Sequence, residues 1–222
     1  MLGRLLKRKK PKDDASEAMG LRLGNISFTG PQFEVGSPVS TLLPPNLAAL
    51  LQQINGFIQF GGGLHVRGVC SAPDWHSLAH VMVGEKALHR SYPAVVETDV
   101  PFAQDCVADQ FLLRGGVVHK LYSETGDIED LDLNLPSFFA AVEADPIGFL
   151  SMHPLLQFQR DGGALLPGQV LHVYPPFCTK EAGAGVSLKP VSAIEALEFL
   201  AEFSSQLTGM AEGAKFRIQI VP

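Results

Sequence analysis

Apolar residues fall at helical spacing in three places along the chain. Leu47, Leu50, Leu51 and Ile54 share one face behind Leu42-Leu43-Pro44-Pro45. Proline is tolerated there because a first-turn N–H has no intrahelical partner to lose, and Asn55-Gly56 ends the run with residues that accept a left-handed backbone. Phe138, Phe139 and Val142 line one side of a second helix over Pro136–Glu143. Ile194, Leu197, Leu200, Ala201 and Leu207 mark the buried side of a third, over Val191–Leu207. Ser192 and Glu195 stand three apart at its start, the spacing of a capping box.

Shorter runs rich in β-branched and aromatic residues predict strands. They are Leu21–Phe28, Phe33–Val35, Phe57–Phe60, Leu64–Val69, Pro93–Thr98, Phe111–Leu113, Val117–Tyr122 and Val170–Tyr174. Gly61-Gly62-Gly63 turns between the third and fourth. Gly115-Gly116 closes a tight hairpin, since glycine supplies the positive φ such turns need. Ala72–Arg90 reads as a mixed helical stretch, Asp127–Leu133 as an acidic loop or edge, and Cys178–Leu188 as a loop. Lys215–Val221 alternates polar and apolar, as a half-buried strand does. The order predicts an α+β fold, a mostly antiparallel sheet covered by helices with a C-terminal strand–helix–strand extension. Its expected parts are a basic arm (1–19), a main domain (20–150) and an extension packed on it (151–222).

Charge sharpens this picture. Of 222 residues, 46% are hydrophobic and 18% charged, enough apolar surface to bury a large core. The net charge of −6 hides an asymmetry. Arg4, Lys7, Arg8, Lys9, Lys10 and Lys12 carry six positive charges, leaving 11 basic residues against 23 acidic ones in 13–222, a balance of −12. Such a body suits a basic partner and repels a polyanion such as nucleic acid. Three well-separated cysteines, Cys70, Cys106 and Cys178, without a CxxC pair, point to a reducing compartment. Met1–Leu6 is too short for a signal-peptide core, and no run of 18 apolar residues exists. A cytoplasmic protein without a membrane span is expected.

The chain offers little for catalysis. His76 and His80 are four apart, metal-ligand spacing on a helix, but Ser77 stands where a metalloprotease needs Glu, and no Cys or carboxylate is spaced to complete a site. No serine lies in a Gly-x-Ser-x-Gly elbow. Cys106 sits between apolar segments with no marked histidine partner. Gly61-Gly62-Gly63 lacks a following Gly-Lys-Ser/Thr, and Gly183-Ala184-Gly185 lacks the third glycine of a dinucleotide fingerprint. No enzyme, cofactor or metal is expected. Asp105 and Asp109 read either as turn caps bonded to backbone N–H groups or as partner contacts.

The order of motifs is itself informative. Leu43-Pro44 leads into a helix ending in Asn55-Gly56; Phe102-Ala103-x-Asp105 follows, then a strand ending near an acidic turn, then the Ser137-Phe138 helix start. Over residues 42 to 150 this resembles the SUKH superfamily, whose bacterial members are largely immunity proteins that neutralise toxins. Ala108 stands where the family commonly has glycine. Further on, Gly168-Gln169-Val170-Leu171-His172-Val173-Tyr174-Pro175, a Gly-rich loop and a Leu-rich helix are similar to the end of GAD-related immunity proteins of type VI secretion.

The resemblance implies a SUKH-like fold and stoichiometric inhibition of a cognate toxin. A SUKH-type scaffold or regulatory protein-binding module is the alternative. The expected docking surface comes from the residues themselves. Glu124, Asp127, Glu129, Asp130 and Asp132 place five carboxylates within nine residues, a patch suited to a basic toxin surface. Trp75 and Tyr122 are candidate aromatic anchors or core residues, and Trp75 and His76 are expected at the partner-binding surface with the acids.

Overall fold

The computed structural model describes residues 24–210 and 213. The basic arm, the start of the strand expected over 21–28 and the alternating segment 215–221 lie outside these residues. Seven strands pair each with the next, antiparallel throughout, in the order β1 to β7. They are β1 Ile26–Thr29, β2 Phe57–Gln59, β3 Leu64–Val66, β4 Val100–Asp105, β5 Gln110–Arg114, β6 Val117–Leu121 and β7 Ile128–Asn134. Gly115 and Gly116, both at positive φ, turn β5 into β6 between paired Arg114 and Val117, a two-residue hairpin that follows the strand twist.

Helices cover both faces. Helix α1 (Pro45–Gln53) contributes Leu47, Leu50 and Leu51, and α4 (Leu135–Ala144) contributes Phe138, Phe139 and Val142. These join Phe57, Phe102, Phe111, Leu113 and Val118 in the main core. Between them in sequence lie two short helices, α2 (Leu78–Met82) and α3 (Leu88–Ser91). Val81, Leu88 and Tyr92 meet Leu112 and Leu121 in a second core. Alternate residues of β5 thus feed opposite cores, so the strand is buried on both sides rather than half solvated. The main core continues past residue 150 through Met152 and Leu155, the latter on α6 (His153–Arg160), which follows the short α5 (Pro146–Phe149).

The C-terminal unit is a two-stranded sheet, β8 (Gln169–Tyr174) and β9 (Ser187–Ser192), followed by α7 (Ala193–Leu207). The Leu171 N–H donates to the Cys106 carbonyl at 2.7 Å and fastens this unit to the β4–β5 turn. Within the described residues the extension therefore runs strand–strand–helix. β9 occupies sequence expected as loop and helix start, and Pro190 sits in a strand that has one partner, where a missing N–H is tolerated.

Four other expectations are corrected. Phe33–Val35 forms no strand and runs into a turn at Val35-Gly36, where Gly36 has positive φ. Pro93–Thr98 is a run of turns, because the Asp99 carboxylate accepts the Val96 N–H while the Asp99 N–H returns to the Val96 carbonyl. The capping box at Ser192 does not form; the Ala193 N–H is taken by the Gly168 carbonyl at 2.8 Å. The buried side of α7 is set by Ala193, Ala196, Phe203 and Ser204, while Ile194, Leu197, Leu200, Ala201 and Leu207 are only partly covered. No helix among the described residues is long and apolar enough to cross a membrane.

Candidate functional site: an acidic edge and an apolar cleft

The segment Phe102–Phe111 is β4, a turn and β5, and its two aspartates organise the turn. Asp105 Oδ1 accepts the N–H groups of Val107 and Asp109, both at 3.0 Å. Asp109 Oδ1 accepts the Ser123 N–H at 2.9 Å and so ties this turn to the one after β6. The capping reading of both aspartates holds. Ala108 sits between them at φ 70°, the left-handed region that favours glycine.

Lys120 completes the arrangement and was not singled out from sequence. Its ammonium lies 3.1 Å from Asp105 Oδ2 and 3.1 Å from Asp109 Oδ2, with all three residues largely buried. Burial works against the Lys120 charge, but the two carboxylates outweigh it and hold the pKa above its ordinary value. Burial and repulsion from Asp109 push Asp105 up to about 7, against the pull of Lys120. Burial also raises Asp109. The trio thus holds two carboxyl groups for one ammonium.

Asp109 opens onto a cleft of about 430 Å³ between the main sheet and the C-terminal unit. Its walls are mostly apolar: Leu171 and Val173 of β8, and Phe199, Leu200 and Phe203 of α7, with His172 of β8 against the Phe199 ring. Its other charged lining residues are Glu124 and Asp127, on the turn between β6 and β7. Glu124 does not project as expected. Its two carboxylate oxygens accept the N–H groups of Phe177 and Cys178, each at 3.0 Å, clamping that loop over the cleft. Burial raises its pKa while the two backbone donors oppose the rise.

Asp127, Glu129, Asp130 and Asp132 are exposed, as a docking patch requires. All but Asp127 lie on β7, the last strand of the sheet, and a bulge at Leu131-Asp132 shifts its register against β6. The acidic segment is an edge strand rather than a loop. The Tyr122 hydroxyl donates to Glu129 Oε2 at 2.5 Å and links the strand to the cleft mouth.

The aromatic candidates separate. Tyr122 is 37% exposed beside the acids. Trp75 is half-buried, against Phe28 and His65, and its indole lies over Gly168 where a Cβ would clash. It fills the joint between the main sheet and the C-terminal unit. His76 is fully buried, so it offers no surface to a partner. It belongs to a 3₁₀ turn, Asp74–His76, while His80 belongs to α2, so the pair shares no helix face. Cys106 is fully buried, and burial raises its thiol well above the ordinary value. Among the described residues, no cluster of three His, Cys, Asp or Glu is placed to hold a metal.

No family model matches the chain, and no curated protein sequence does. Its fold is similar to the crystal structure of Atu4351 from Agrobacterium tumefaciens, with a TM-score of 0.50 over 80% of this chain and 85% of that one, at 12% identity. At that identity the likeness is one of fold alone.

Proposed function

We propose that this chain is a bacterial immunity protein that neutralises a cognate toxin in the cytoplasm by binding it stoichiometrically. The supporting observation is the continuity of the apolar cleft with the acidic edge. Asp127 lines the cleft and also begins the exposed acidic row that runs on through Glu129, Asp130 and Asp132. A desolvated apolar centre with a charged rim is the anatomy of a protein-binding surface. Charges on an edge strand also keep a sheet from pairing with copies of itself. That role accounts for the acids of β7 but not for the open apolar cleft beside them.

The sign of the charge selects the partner. A body at −12 without its first twelve residues attracts a basic surface from a distance and disfavours nucleic acid. The toxin as partner class comes from the motif order shared with SUKH proteins. Co-expression with the toxin encoded beside its gene tests the proposal. Growth should return in proportion to the amount of this protein and fail when toxin is in excess. Absence of rescue at matched expression would leave a scaffold or regulatory module as the reading of the same surface.

A further inference from the structure

We propose that the cleft is a receptor for one arginine or lysine side chain of the partner, its aliphatic stem lying between β8 and α7 and its cationic head meeting Asp109, Glu124 and Asp127. The nature of the partner rests on the toxin-binding reading above; the chemistry of the cleft does not.

Three features specify this occupant. The first is size: about 430 Å³ falls within the range of sites that enclose small ligands. The second is the pair of apolar walls. Phe199 packs against His172 of β8, ring centroids 5.3 Å apart, and Leu200 and Phe203 extend the apolar lining; the methylene stem of a basic residue buries along such surface while its head stays polar. The third is the imbalance of charge. The charged residues lining the cleft are Asp109, Glu124 and Asp127, all acidic. Behind Asp109 a single ammonium, that of Lys120, serves two carboxylates. Glu124 is bonded to two backbone N–H groups rather than to a cation. His172 also lines the cleft, and burial together with the neighbouring Lys189 lowers its pKa, which favours the uncharged ring. A neutral apolar ligand would use the walls and leave the carboxylates facing a dry surface, and an anionic one would be repelled. A monovalent cation on an aliphatic stem satisfies both.

The test titrates the isotope-labelled full chain with propylguanidinium, and separately with propylurea, which has nearly the same shape and no charge. Amide resonances are followed by NMR. Propylguanidinium should produce saturable shifts at Asp109, Tyr122–Asp127, β8 and the first half of α7, with a Kd of about 1–10 mM, as suits a fragment this small. Propylurea should bind about tenfold more weakly, since only the charged head is held by charge-assisted hydrogen bonds. Asp127→Asn, at an exposed position, should weaken propylguanidinium about two- to fivefold. Phe199→Ala should also weaken it, while Glu129→Gln and Asp130→Asn, outside the cleft, should not. Equal binding of the two probes, or guanidinium shifts confined to β7, would overturn the proposal. Cleft binding of propylguanidinium without any toxin complex would remove the toxin reading and keep the receptor. A toxin complex that leaves the cleft amides unshifted would do the reverse.

Discussion

His65 and His76 meet through their ring nitrogens, with His65 Nε2 2.9 Å from His76 Nδ1 and both rings buried. The other nitrogen of His76 lies 2.8 Å from the Asn55 carbonyl. His76 therefore donates to Asn55 and accepts from His65, an arrangement that needs a neutral His76; burial and the charge of Arg67 disfavour a proton on His65 as well.

That arrangement sets a pH dependence. Burial lowers the pKa of both histidines, and the adjacent buried Arg67 opposes a further positive charge on either. When pH falls below about 6.5 the unfolded chain takes up these protons and the folded one does not. The stability the pair confers is present above that value and is lost as pH falls. Asp105, raised to about 7, has the opposite sign, since the folded state binds its proton first and gains stability as pH falls through 7. Ring resonances followed by NMR from pH 7.5 to 5.5 separate the two. Those of His65 and His76 should stay in the neutral form, and titration of either near 6.5 would contradict the buried pair.

Lys120 should be worth more than an exposed ion pair. Replacing it by Met leaves two buried carboxyl groups without a cation, and Lys120→Met should cost about 3–5 kcal/mol in urea unfolding. The triple variant Asp105→Asn/Asp109→Asn/Lys120→Met removes the charges together and should lose less. Equal losses would mean that the turn hydrogen bonds, not the charges, carry the energy.

Leu51 and Phe139 lie on different helices in one core. Leu51→Ala or Phe139→Ala should each cost about 2–5 kcal/mol, because each leaves a cavity between helix and sheet. Denaturant unfolding measures this directly. A loss under about 1 kcal/mol at both would contradict the packing.

The helices were legible because their apolar residues repeat at one period, and the β5–β6 hairpin because Gly115-Gly116 admits one turn chemistry. The failures have physical causes. Pro93–Thr98 has β-branched residues, but Asp99 diverts its backbone into turns. In β9, Pro190 hides a strand that pairs on one side only. His76 and His80 matched a helical period that a 3₁₀ turn interrupts. The acidic segment was legible as charge; the inward turn of Glu124 depends on a loop more than fifty residues away. Lys120 did leave a signal, since it shares its strand face with buried Val118. A lysine at an inward position calls for a buried acid. The cleft left none, because its walls come from elements distant in sequence.

Asp127, Glu129 and Asp130 should act mainly on the approach of the partner. Neutralising all three as amides should slow association, with the difference shrinking as salt rises, because exposed charges are screened beyond about 8–10 Å at physiological ionic strength. Dissociation should change less. Stopped-flow association at two salt concentrations measures both. Equal rates at low salt would exclude β7 as the steering surface.

Stoichiometric neutralisation is tested most directly by titrating the activity of the purified toxin with purified full-length protein, while measuring the mass of the complex. Activity should fall linearly and vanish at one equivalent, where a one-to-one complex accounts for all the protein. Complete loss at a small fraction of an equivalent, or activity untouched at several equivalents, would contradict inhibition by binding.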